Sequence, residues 1–336
     1  MRLVLLAVGA AALARAVVFE VPAVTGRPVL SPELRAAAAQ WGIDAQRARL
    51  APIRSGAAFR FSVIGDAEPG RFAWERVFAP PVDAFTRLLR DASSSSAFVL
   101  QLGDSVSEGT ADYYAARFRQ LDGARGAAPL FPTIGNHDRS RPNGAADKGF
   151  FEATMGQPDY FFDYAGWRFV SVDTSDRRLR DDQLAWLKTV VPDNGRCVIF
   201  THVPPKFLKG KFYSPKKASK GLEGEEKEEP LPKSEDYWHD VLTAYFEENA
   251  EGFRALVAER KVARVYVGHI HAFGVARVGP TLFVLSGGGG SPLYPLPPGE
   301  PKRKMTHWLE VSVDGRSVSE TVHELNGDVY PMPLPR

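Results

Sequence analysis

Leu130-Phe131-Pro132-Thr133-Ile134-Gly135-Asn136-His137-Asp138 is an apolar run of strand length that stops at a glycine and then presents an amide, an imidazole and a carboxylate. The run predicts a buried strand, and the glycine lets the backbone bend sharply and pass close to a ligand. The same design recurs along the chain. Phe59–Ile64 is followed by Gly65-Asp66, Phe98–Leu102 by Gly103-Asp104, Cys197–Phe200 by Thr201-His202, and Val262–Val267 by Gly268-His269-Ile270-His271. Ala111–Leu121, Asp181–Val191 and Tyr237–Arg260 read as helices, and Tyr160–Tyr164 with Trp167–Val172 as a hairpin turning at Ala165-Gly166. Three tail strands are expected at Thr281–Leu285, Trp308–Val313 and Ser317–His323. Strands alternating with helices predict an α/β fold. In such folds ligands bind beyond the carboxyl ends of the strands, so five distant turns can converge on one site. Four of the seven histidines fall in these turns, which marks them as chemistry rather than scattered packing.

The residue types select the chemistry. Imidazole and carboxylate together suit Zn, Fe or Mn better than Ca. Two aspartates, an asparagine and three or four histidines exceed the needs of one ion. They suit two metals about 3.5–4 Å apart, which ionise a water and stabilise both oxygens of an in-line displacement at phosphorus.

These motifs, in this order, resemble those of the calcineurin-like metallophosphoesterases, the superfamily that includes the purple acid phosphatases. The resemblance runs from about Phe59 to about Leu325. It implies a four-layer α/β/β/α sandwich of two mixed β-sheets flanked by helices. It implies two divalent or trivalent ions (Fe, Mn or Zn), with Asp66 and His271 on metal 1, Asp104 bridging, and Asn136, His202 and His269 on metal 2. It further implies that His137 donates to the phosphoryl or leaving-group oxygen and that Asp138 orients His137. One motif departs. Asp66-Ala67-Glu68 stands where most of the superfamily has Asp-x-His. Purple acid phosphatases also lack that histidine but carry a tyrosine three residues after the bridging aspartate, and here that position is Ser107. Glu68 or a water is expected to fill the gap on metal 1; an exposed loop carboxylate is the alternative for Glu68. Arg139 and Arg141 are candidate phosphate contacts, against solvated loop arginines.

The rest of the chain bounds the picture. Its 336 residues are 44% hydrophobic, with a formal net charge of +2, which excludes a disordered chain and shows no nucleic-acid-binding signature. The single cysteine, Cys197, excludes an intramolecular disulfide and a cysteine-built zinc site. Residues 1–16 read as a secretory signal cleaved after Ala16, leaving no membrane span, with an uncleaved membrane anchor as the alternative. Residues 17–58 read as a lead-in, with a short helix capped by Ser31-Pro32 and stopped by Gly42. The domain is expected over 59–325, with a charged insertion at 206–236 and a tail at 326–336. The insertion carries six lysines in Lys206–Lys220 and five glutamates in Glu223–Glu229, and reads as a solvated loop or as a lid over an anionic substrate. The glycine-rich Ser286–Ser291 reads as a turn bordering the site. The expected function is a secreted phosphoesterase, monoesters favoured, acting on a small phosphate ester or a phosphorylated substrate through a hydroxide held by two metals. The alternatives are a phosphodiesterase, a nucleotide pyrophosphatase, or a catalytically impaired binding protein.

Overall fold

A computed structural model of the chain describes residues 28–70, 75–124, 128–140, 147–214, 244–296, 300–301 and 303–335. The expected signal, Arg141 and residues 215–236 of the insertion lie outside these. The period of two along each strand sends its apolar side chains to two different cores. On β1 (Phe59–Ile64), Phe61 and Val63 face one core and Ile64 another. On β6 (Cys197–Thr201), Val198 and Phe200 share the first core, while Cys197 and Ile199 join a third. Strands covered on both faces need apolar residues on both, so they appear in sequence as continuous runs.

Among the described residues, twelve strands form two six-stranded mixed sheets. One has the order β12 (Val329–Pro331), β11 (Ser317–Glu324), β10 (His307–Asp314), β1, β2 (Val99–Gln101), β3 (Leu130–Pro132). The other has the order β4 (Tyr160–Tyr164), β5 (Trp167–Ser171), β6, β7 (Arg264–Val267), β9 (Thr281–Ser286), β8 (Phe273–Val278). Strands β1, β2 and β3 run parallel, as do β5, β6, β7 and β9. The sheets pack on each other through Phe61, Phe98, Phe169, Phe200 and Leu309. Helices α1 (Pro32–Trp41), α3 (Ala84–Ser94) and α4 (Ala111–Gly123) share a core with the outer face of the first sheet; α6 (Asp181–Val190) and α7 (Ala250–Glu259) share one with the outer face of the second. Short helices α2 (Ile43–Ala48) and α5 (Gly149–Thr154) complete the set among the described residues. Two mixed sheets flanked by helices are the expected sandwich.

The Ser31 hydroxyl accepts from Leu34 N at 3.2 Å, with Pro32 opening α1 and Gly42 ending it. The expected helix over Tyr237–Arg260 is corrected. Residues 244–249 are not helical, because Phe246 pairs through its backbone with Pro204 and Lys206, and Asn249 is left-handed at φ 57°. Residues 206–214 are likewise not free loop: a 3-10 turn spans Lys206–Leu208, and Tyr213 bridges to Val275 on β8.

A buried ion pair ties the sheets together. Arg264 Nε on β7 meets Glu320 Oε1 on β11 at 2.5 Å, and the Tyr266 hydroxyl donates to the same oxygen at 2.9 Å. Truncating Arg264 would leave a buried carboxylate without its cation, at about 3 kcal/mol or more. Arg264→Ala should therefore lower the denaturant midpoint while leaving the carboxyl-edge turns, and so metal content, intact.

Candidate metal centre

The parallel strands of both sheets end on the same edge, and there Asp66, Asp104, Asn136, His202, His269 and His271 come together. Asp66, Asp104 and His271 offer one set of ligand atoms, Asp104, His202 and His269 another, and within each set all atoms lie within 4.8 Å of one another. Asp104 belongs to both. His202 Nε2 lies 3.1 Å from Asp104 Oδ2 and 2.9 Å from Asn136 Oδ1, which adds Asn136 to the second set. Strained backbone sits at these positions: Asp104 has φ 49° and His269 φ 70°. Gly103, at φ 88°, starts the reversal that turns Asp104 inward. A Cβ on Gly135 would lie 2.1 Å from Asp104 Oδ1, so only glycine lets the two turns touch.

Carbonyls orient the imidazoles. His202 Nδ1 meets Leu102 O and His271 Nδ1 meets Pro292 O, each at 2.7 Å. A carbonyl accepts, so Nδ1 carries the proton and Nε2 is the nitrogen left for a ligand role. The electrostatics call for a cation. Burial alone would lower His202, yet the Asp104 and Asp66 carboxylates push it up to about 9. Burial would raise Asp104, but His202 and His137 outweigh it and hold the carboxyl well below its usual range. Burial, with the Asp104 charge, raises Asp66. Burial drives His269 well down and His271 to about 4, leaving both as neutral donors. The buried Asn136 Nδ2 has no hydrogen-bond partner among the described residues, while Oδ1 faces His202. Neutral imidazoles, buried carboxylates and an inward amide oxygen fit a pair of divalent or trivalent ions.

The Asp138 carboxylate accepts from the backbone amides of Gly135 (2.7 Å), Ser105 (2.8 Å) and Val106 (3.2 Å). It therefore pins the Asp104 turn to the Asn136 turn, and burial raises it to about 7. Its backbone carbonyl accepts from the buried Tyr114 hydroxyl at 2.9 Å. Ser107 O lies 3.0 Å from His137 Nδ1, and the His137 backbone N–H donates to Asp104 Oδ1 at 2.8 Å. Glu68 is not an exposed loop carboxylate: it is 1% exposed. Its Oε2 accepts from Gly70 N and from Ser107 Oγ (3.3 Å), and it is absent from both ligand sets.

Arg139 is buried, which lowers its guanidinium against the opposing Asp176 charge. Sequence reasoning missed Arg177. It is left-handed at φ 59°, and its charge acts on both Arg139 and His269. It also missed Tyr294, whose ring centroid lies 4.9 Å from that of His271. The glycine run packs tightly against backbone: a Cβ on Gly287 would lie 2.0 Å from Ile270 O, and one on Gly289 2.4 Å from Gly65 O. It holds the Asp66 and His271 turns against each other. His307 is buried and bonded to Ser286 Oγ at 2.9 Å.

Residues 59–273 match the family model described as calcineurin-like phosphoesterase. No curated protein matches the chain. Among solved structures, a purple acid phosphatase from yellow lupin (Lupinus luteus) seeds is similar in fold, with TM-score 0.57 and 16% identity over 83% of this chain. The chain spans 54% of that structure's length. GAP50, the anchor in the inner membrane complex of Plasmodium, is 13% identical over 83% of this chain and 90% of its own, with TM-score 0.47.

Proposed function

The chain belongs to the calcineurin-like phosphoesterase family, and from that premise we propose that it hydrolyses phosphate esters, monoesters by preference, at a centre of two metal ions. The observation that carries this is the sharing of Asp104 between two sets of ligand atoms. Asp66, Asp104 and His271 would hold one ion, and Asp104, Asn136, His202 and His269 the other. Such ions supply Lewis-acid stabilisation of the phosphoryl oxygens and activation of water. The protein's own groups do the rest. Leu102 O and Pro292 O keep His202 and His271 in one tautomer. Asp138 ties the Asp104 and Asn136 turns together through backbone amides. His137, half-buried beside the cage, holds Nδ1 against Ser107 O, and its Nε2 would serve the leaving oxygen. Arg139 is the candidate contact for a phosphate oxygen. The preference for monoesters is supported by Asp66-Ala67-Glu68, which lacks the usual histidine as acid phosphatases do.

The test is metal content of the purified chain by plasma mass spectrometry, with hydrolysis of p-nitrophenyl phosphate and its bis-ester before and after adding Mn, Zn or Fe. Near two ions per chain and faster monoester turnover are expected. One ion, and no turnover under any metal, would overturn the assignment.

A further inference from the structure

We propose that Glu68 and Ser107 form a positioning pair that aims His137 at the leaving group, in place of supplying a ligand to metal 1. The inference deepens the phosphoesterase reading and rests on it. Ser107 stands three residues after Asp104 and is fully buried. Its carbonyl accepts a hydrogen bond from His137 Nδ1 at 3.0 Å. Its hydroxyl lies 3.3 Å from Glu68 Oε2 and 3.2 Å from Gly70 O. Gly70 N donates to the same Glu68 oxygen. One carboxylate oxygen thus takes an N–H from the segment after Asp66 and shares with Gly70 O the single O–H from the segment after Asp104. These donors engage Oε2, and Glu68 lies outside both ligand sets. The pair clamps the backbone whose carbonyl orients the imidazole. A ring held at Nδ1 has one nitrogen, Nε2, with which to exchange a proton with substrate.

The step this serves balances as follows. The ester P–O bond breaks and its electron pair goes to the leaving oxygen. The Nε2 proton of the His137 imidazolium moves to that oxygen, giving a neutral alcohol. Water supplies the new P–O bond and releases a proton to solvent, and the imidazole is reprotonated from solvent. A good leaving group needs this proton little and a poor one needs it greatly. Loss of aim should therefore appear as a dependence on the leaving group, which a general loosening of the fold would not produce.

The experiment uses full-length protein loaded with metal: wild type, Ser107→Ala, Ser107→Thr and Glu68→Gln. Each is assayed on p-nitrophenyl phosphate and on glycerol phosphate, with metal content measured in parallel. Ser107→Ala should lower kcat for glycerol phosphate about tenfold more than for p-nitrophenyl phosphate, the size of effect usual for a supporting hydrogen bond. KM and metal content should hold, Ser107→Thr should restore the ratio, and Glu68→Gln should keep two ions per chain. Loss of one ion in Glu68→Gln would make Glu68 a ligand and overturn the proposal. So would equal slowing of both esters in Ser107→Ala, or no rescue by threonine. A wild type that binds two ions and cleaves neither ester would instead overturn the phosphoesterase reading, and the positioning role with it.

Discussion

Asp104→Asn is expected to strip metal from the site and to reduce hydrolysis about a thousandfold or more. Asp104 is the only residue common to both ligand sets, so the substitution weakens both ions at once. A metal pair contributes several kcal/mol of transition-state charge stabilisation, and about 4 kcal/mol corresponds to three decades of rate. The fold should survive. Asparagine has the same shape, tolerates the left-handed φ of 49°, and can still accept the His137 N–H that now lies 2.8 Å from Oδ1. The change removes charge from a carboxyl that His202 and His137 hold well below its usual range against burial. Plasma mass spectrometry, kcat/KM on p-nitrophenyl phosphate and a thermal melt separate the parts of this expectation. An unchanged melt with lost metal supports the shared-ligand role; full metal content and full activity would remove Asp104 from the centre.

The sandwich was legible because burial on both faces writes a strand as an unbroken apolar run. Phe59–Ile64, Cys197–Phe200 and the Tyr160–Tyr164 hairpin arm stand where the sequence puts them. The candidate ligands were legible because each follows such a run directly, and a strand end fixes where the next residue lies. Helix α3 was missed although Phe85, Leu88, Leu89 and Ala92 recur at helical spacing and are all buried. Strand β8 was missed because Gly274 interrupts its apolar run, and a Cβ there would meet the Phe212 ring at 3.2 Å. The backbone contacts of the Asp138 carboxylate could not be read. Its partners are backbone amides of Gly135, Ser105 and Val106, and every residue but proline has one, so no side chain marks them. Arg177 was hidden for a similar reason: its place beside His269 depends on the path of a loop, including one left-handed residue.

His137→Ala should show the opposite pattern to Asp104→Asn: metal retained and catalysis lost. The His137 backbone N–H donates to Asp104 Oδ1 in the cage, a link that alanine keeps. What alanine removes is an imidazole held at Nδ1 by Ser107 O, the group placed to protonate the leaving oxygen. General acid catalysis is worth about 10²–10⁴ in rate, so kcat should fall by about that factor, and further for glycerol phosphate than for p-nitrophenyl phosphate. KM should change less, because ground-state binding would rest on the ions and on Arg139 rather than on a proton that moves only in the transition state. Metal analysis decides between the two ways His137 could matter. Two ions with lost turnover assign it to proton transfer, whereas loss of an ion would make its charge beside Asp104 part of the cage. That second outcome would also undercut the Ser107 clamp, since aiming a ring has no purpose if the ring's task is to hold the metal in place.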